Sequence, residues 1–304
     1  MKKKALLLAT GLAVTAVALA GCSGGSDPLD AGDDSSASSS SIVIGSADFP
    51  ESQLLASIYS QALSAAGVDV TERFNVGSRE ITVPALLDGS LDLMPEYSGA
   101  FLSYLEPETT VVTRDEVLDE LDAKLPEGLA MLEPADAEDK DVLAVTQATA
   151  DEYGLANMSD LEPVAGQLAL GAAAEWQTRQ NGVLGLQSVY GLTFGEFVPL
   201  DAGGPLTVDA LTNGQVQVAN VFSTDPAISS RGFVVLDDDK GLFLAESVVP
   251  VINADKVTPE VSDALNAVSA ILTTQDLIDL NTQIADGEDI AAVALGWLQD
   301  NDLV

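Results

Sequence analysis

From Ile42 onward the chain alternates short β-branched runs with longer amphipathic segments, and this alternation limits the fold more than any other feature. Residues 42–44 form a strand closed by Gly45, and residues 53–66 carry helical periodicity that stops at Gly67. Residues 68–74 alternate like a strand, 81–88 read as a helix, and 91–94 form a brief apolar strand that Pro95 is expected to end. Such a β-α-β-α-β order predicts an α/β lobe on a mainly parallel sheet, because parallel neighbours need helical crossovers. A second set of the same alternating kind follows, at 142–145, 168–171, 183–190, 208–213, 216–221 and 233–236. Residues 248–252 return as a strand, and helices at 259–272, 277–285 and 290–299 close the chain. No internal repeat is visible, so the expectation is two lobes, each a sheet flanked by helices, and no solenoid.

The N-terminus is of another kind. Lys2, Lys3 and Lys4 form a basic start, residues 5–20 are apolar and uncharged, and Leu19-Ala20-Gly21-Cys22 ends the run in small residues. That order describes a secretory signal peptide over residues 1–21, since the apolar stretch is short for a membrane span. The cysteine at the cleavage point resembles the lipobox of bacterial lipoproteins, which implies Cys22 as the lipid-modified first residue of the mature chain. Residues 22–41, rich in Ser, Gly, Ala and Asp, hold too little apolar surface to offset ordering and are expected to form a flexible tether.

Charge and missing residues exclude several functions. The net charge is −36, from 12 basic and 48 acidic residues, and becomes −39 once the three lysines leave with the signal peptide. Such a surface repels phosphate backbones, so no nucleic-acid partner is expected. The chain has no histidine, which removes imidazole bases and Ser-His-Asp or Cys-His nucleophiles. Its one cysteine is assigned to lipid, which removes Cys/His zinc sites. Gly-rich phosphate loops are absent from the sequence. Asp237-Asp238-Asp239-Lys240-Gly241 reads as a solvated turn, because it lacks the alternating ligands of a calcium loop. The chain is therefore expected to bind and not to catalyse, with no cofactor and no metal.

Several segments then occur in a telling order. Ile44-Gly45-Ser46-Ala47-Asp48-Phe49-Pro50-Glu51 comes first, then Gly77-Ser78-Arg79-Glu80, then Asp92-Leu93-Met94-Pro95-Glu96-Tyr97-Ser98-Gly99. Glu175-Trp176-Gln177-Thr178-Arg179, Phe222-Ser223-Thr224-Asp225 and Asp238-Asp239-Lys240-Gly241 follow. The set resembles the glycine betaine, carnitine and choline (osmoprotectant) solute-binding proteins of ABC importers, ProX- and OpuC-like. The resemblance implies a two-lobed periplasmic-binding-protein fold, the type II venus flytrap with two crossover strands. Lobe I would comprise residues 42–140 plus 250–304, and lobe II residues 141–249. It further implies a small-molecule solute in the interlobe cleft and ABC permease subunits as membrane partners. The receptor would be a monomer, held by lipid at the extracytoplasmic face of the cell membrane.

A trimethylammonium head has no hydrogen-bond donor, so such sites hold it on aromatic faces, whereas a betaine carboxylate needs Arg, Lys, hydroxyl or N–H partners. By resemblance, Tyr97 and Phe222 are the expected aromatic walls and Arg179 the carboxylate anchor. Asp48, Phe49 and Glu51 would lie at the cleft rim, Asp48 and Phe49 within reach of the ligand, and Thr224, in the segment beside Phe222, is a further expected ligand contact. Ala47 and Ala100 stand where relatives carry a lysine and a threonine, while Asp141 and Glu246 fall near positions of cage tyrosines. From the residues alone, Asp141 and Glu246 read first as solvated carboxylates; facing the ligand, they would replace aromatic surface by negative charge. Trp176 is expected in interlobe packing. These departures keep a second ligand class open, a polyamine, basic amino acid or polyol. A sensor or enzyme domain on the same fold is the remaining alternative.

Overall fold

A computed structural model describes residues 41–304. The expectations for residues 1–40, with the signal peptide, nearly all of the tether and Cys22 among them, lie outside the described residues.

Helix Pro50–Ala65 shows how the local sequence sets an element. Pro50 occupies the first turn, where its fixed φ suits the helix and its missing N–H leaves nothing unpaired, so the helix begins three residues before its apolar periodicity does. Leu54, Leu55, Ile58, Tyr59, Ala62 and Leu63 follow at helical spacing and are all buried. Gly67, at φ +83°, ends the run in the left-handed region.

Ten strands are defined among the described residues: β1 (Ile42–Gly45), β2 (Val70–Arg73), β3 (Leu93–Tyr97), β4 (Leu129–Met131), β5 (Asp141–Thr146), β6 (Ala169–Ala173), β7 (Glu196–Leu200), β8 (Val218–Phe222), β9 (Phe233–Val235) and β10 (Val248–Asn253). They form two five-stranded sheets, ordered β2-β1-β3-β10-β4 and β7-β6-β8-β5-β9. In each sheet the first two pairings are parallel and the last two antiparallel, so both sheets are mixed. The antiparallel member, β10 in one sheet and β5 in the other, is the strand that has just arrived from the opposite lobe. The two crossing segments run side by side, with the Asp139 N–H donating to the Glu246 carbonyl at 3.1 Å. β10 starts at Val248, where the returning strand was expected, and two residues ahead of the expected lobe boundary at 250.

Pro95 does not end its strand. It lies inside β3, directly opposite Pro250 of β10. The Pro250 carbonyl turns to the far side, where it accepts the Leu132 N–H at 3.0 Å. Antiparallel pairs alternate between bonded and unbonded positions, so two facing prolines at an unbonded position remove nothing from the ladder they share.

Period-two alternation places a core on both faces of each sheet. In β10, Val248 and Ile252 join helix Pro50–Ala65 on one face, and Val249 and Val251 join Phe101 and Leu102 on the other. In β5, Leu143 and Val145 pack against Trp176 and Tyr190, while Ala144 packs against Leu211 and Val221. The three closing helices, Pro259–Ser269, Thr274–Ala285 and Ile290–Asp300, all belong to the first lobe. No helix among the described residues is long and apolar enough to cross a membrane.

Candidate functional site

The ends of β1, β3, β6 and β8 converge on one cleft, as the strand ends of open α/β sheets do when they bind ligands. The loop after β1 is held by its own serines: Ser46 Oγ accepts the Asn75 N–H at 2.8 Å, and Ser52 Oγ accepts the Ala47 N–H at 2.9 Å. That fixes Phe49 in the cleft wall. Its ring lies 5.1 Å from Phe222, at the end of β8, and 6.1 Å from Tyr97, at the end of β3. Gly203, at φ +66°, lets the Phe222 ring lie on its backbone, because a Cβ there would come within 2.8 Å of the ring. The cleft encloses a cavity of about 70 Å³ beside these rings.

The same wall carries acidic residues, with Asp141 the cross-strand neighbour of Phe222. Glu246 is only 3% exposed, and its Oε2 accepts the Ala100 N–H at 2.9 Å. Gly99 makes that approach possible, since a Cβ there would lie 2.7 Å from the Ala245 carbonyl and 3.1 Å from the Glu246 carboxyl carbon. Burial pushes the Glu246 carboxyl up to about 8, with the neighbouring Asp141 charge adding to it against the Ala100 N–H and Arg79. Asp141 accepts from Asn220 and Asn181, both at 2.8 Å, and burial raises its carboxyl above the usual range despite those bonds. Neither Asp141 nor Glu246 forms an ion pair among the described residues.

The two cations in the wall are already engaged. Arg79 grips Glu96 through Nε and Nη2 at 3.1 and 2.7 Å. Arg179 grips Glu80 in the same way, at 3.0 and 2.8 Å, across the gap between the lobes. Burial alone would raise the Glu80 carboxyl, but the Arg179 fork and Ser78 outweigh it and hold it at about 2.

Behind the aromatic rings a buried network joins the lobes. Glu51 accepts from Tyr97 Oη at 2.7 Å, Thr224 Oγ1 at 2.6 Å and Asn281 Nδ2 at 2.5 Å. Asp139 accepts from Ser223 Oγ and the Thr224 N–H, both at 3.0 Å. Burial lifts the Asp139 carboxyl well above its ordinary range, and the Glu51 charge adds to it.

Most of the expected residues meet here, with some corrections. Tyr97, Phe222, Arg179, Asp141 and Glu246 all line the cleft, and Asp48 lies exposed at its edge. Phe49, expected at the rim, sits between the other two rings. Asp141 and Glu246 are not the solvated carboxylates the residues suggested, because the crossing segments carry them into the interface. Thr224 does not reach the cleft; its hydroxyl and N–H are taken by Glu51 and Asp139. Glu51 likewise works behind the rings and not at the rim. Trp176 belongs to the core of the second lobe, stacked on Phe243 at 6.4 Å. Its Nε1, like Thr82 Oγ1, has no hydrogen-bond partner among the described residues. Sequence reasoning missed Arg79 and Glu96 as cleft residues and Glu80 as the partner of Arg179, although all three stand inside the motifs that carried the resemblance. Asn181, Asn220 and Asn281 carried no signal, since only distant segments give them partners.

Two mixed sheets joined by two crossings, with an aromatic and acidic cleft between them, define a solute-binding protein of the two-lobed class. Residues 40–300 match the family described as the substrate binding domain of ABC-type glycine betaine transport systems, and the chain belongs to that family. It is 28% identical to the glycine betaine-binding protein YehZ of Escherichia coli (strain K12), over 86% of this chain and 90% of that one. It is also 28% identical to the carnitine transport binding protein OpuCC of Listeria monocytogenes, over 99% of this chain and 98% of that one. A crystal structure described as a glycine betaine/carnitine/choline ABC transporter superposes with a TM-score of 0.68 at 25% identity, covering 86% of this chain and 99% of the other. The family is one of receptors and not of enzymes. It works outside the cytoplasm and serves an importer, with a small solute and a permease as its partners.

Proposed function

We propose that this protein captures a quaternary ammonium osmoprotectant of the choline, carnitine or glycine betaine type in the cleft, between lobes 42–140 plus 248–304 and 141–247. The observation that carries this reading is that Tyr97, Phe49 and Phe222 line one cavity with Asp141 and Glu246, carboxylates that form no ion pair among the described residues. Methyl groups around a positive nitrogen offer no hydrogen bonds, so ring faces and unpaired negative charge are what such a head can use. Both wall guanidiniums hold protein carboxylates, which favours choline over the zwitterions. A second reading, a polyamine or basic amino acid, rests on the same two carboxylates, which accept N–H donors equally well. Leu19-Ala20-Gly21-Cys22 supports a lipid anchor on Cys22, tethering a monomeric receptor to the outer face of the membrane.

Calorimetric titration of the intact chain with choline, glycine betaine, carnitine and a polyamine panel tests the ligand. Choline should bind in the micromolar range, and Phe222→Ala should weaken it about tenfold, the loss of one desolvated cation–π contact. Silence towards the quaternary compounds, with binding of a polyamine, would move the assignment to the second class.

A further inference from the structure

The cleft's guanidiniums, Arg79 and Arg179, present the fork with which arginine recognises a carboxylate. Each is filled from within the protein, by Glu96 and by Glu80. The two fillings differ. Glu96 is 3% exposed and comes from β3 in the same lobe as Arg79. Glu80 has a side chain 38% exposed, stands in the first turn of helix Arg79–Leu87, and reaches over to Arg179 in the opposite lobe. Glu80 is thus the filling that a solute's own carboxylate would have to replace.

We propose that Glu80 is a specificity-determining residue: it occupies the Arg179 fork with the protein's own carboxylate, so that the cleft selects cations lacking a carboxylate over zwitterions that carry one. This rests on the quaternary ammonium reading. A cation without a carboxylate leaves the pair intact and supplies the positive charge that Asp141 and Glu246 lack. A zwitterion must either expel Glu80 to reach Arg179 or set its carboxylate on weaker neutral donors, such as Thr82 Oγ1 and Trp176 Nε1, in a wall that also holds Asp48, Glu96, Asp141 and Glu246. Specificity then comes from a built-in repulsive element as much as from attraction.

The test is titration of the intact chain and its Glu80→Gln variant with choline and with glycine betaine. Gln has the same size and cannot satisfy a guanidinium as a carboxylate does. Glycine betaine should bind at least tenfold more tightly to Glu80→Gln, while choline affinity stays within threefold. Adding Arg179→Ala to that variant should remove the betaine gain. If both ligands shift by the same factor, Glu80 is merely a latch between the lobes and the inference fails; no shift for either overturns it as well. If neither compound binds wild type or variant, the ligand reading itself falls and takes this inference with it, an outcome distinct from choline binding with an unmoved preference.

Discussion

Choline binding to this protein should tighten at least tenfold between pH 6 and pH 9, and Glu246→Gln should remove that dependence. Glu246 is buried in the cleft, and its carboxyl is pushed up to about 8 by that burial, with Asp141 facing it and Arg79 and the Ala100 N–H opposing the rise. At pH 6 the group is therefore protonated and offers a cation no charge. A bound cation favours the carboxylate, so binding expels the proton, and linkage then improves affinity by up to about tenfold per pH unit below the free group's pKa. Above about pH 8 the curve should flatten. Gln keeps the acceptor for Ala100 but cannot ionise, so the variant should bind at all pH values about as the wild type does at pH 6.

Stability of the ligand-free protein should move the other way. A carboxyl raised from 4.5 to about 8 contributes stability that is complete below about pH 4.5 and is lost as pH rises through 8, because the folded chain holds the extra proton in that window. Fully expressed, such a shift corresponds to roughly 5 kcal/mol, an upper bound for a cleft that opens to water. Thermal unfolding across pH 5 to 9 should show the decline in wild type and a shallower one in Glu246→Gln. Affinity independent of pH, or a slope that survives the substitution, would rule out Glu246 as the titrating group.

Glu51→Ala should destabilise the chain by about 3 kcal/mol, the loss expected when several buried donors are orphaned at once. Glu51 is 5% exposed, and its carboxylate receives Tyr97, Thr224 and Asn281, which lie 46, 173 and 230 residues away. Removing it takes the acceptor from a buried phenol, hydroxyl and amide at once. One effect opposes the loss: the charge that helps raise the Asp139 carboxyl disappears with it. That relief acts on one group, whereas the deletion strands three, so the net effect stays destabilising. Tyr97→Phe, which removes a single donor, should cost about 1 kcal/mol. Urea unfolding of the three proteins gives both values. A Glu51→Ala loss below that of Tyr97→Phe would show that the network does not stabilise the fold.

The legible part of this protein is the part governed by near neighbours. Strand runs such as Ile42–Gly45 and the spacing of Leu54, Ile58 and Leu63 depend on residues a few positions apart, so their periods show in the sequence. Edge strand β7 (Glu196–Leu200) has no fully buried residue and contains Pro199, and helix Arg114–Lys124 buries only Val117 and Leu121, so neither showed a pattern. Tyr97 and Phe222 were found because each stands in a motif, and Phe49 was seen there too, though placed too far out.

By itself the sequence determined an α/β chain in two lobes, the absence of histidine and thiol chemistry in the body, and the aromatic residues of the cleft. Only the tertiary structure decided which of 48 acidic residues are buried and what each one holds. The reason is that a carboxylate's environment is made by segments far away in the chain. Glu80 meets Arg179 over 99 residues, and Glu246 meets the Ala100 N–H over 146. No local pattern records such a meeting, because it exists only once the two crossing strands have brought the lobes together.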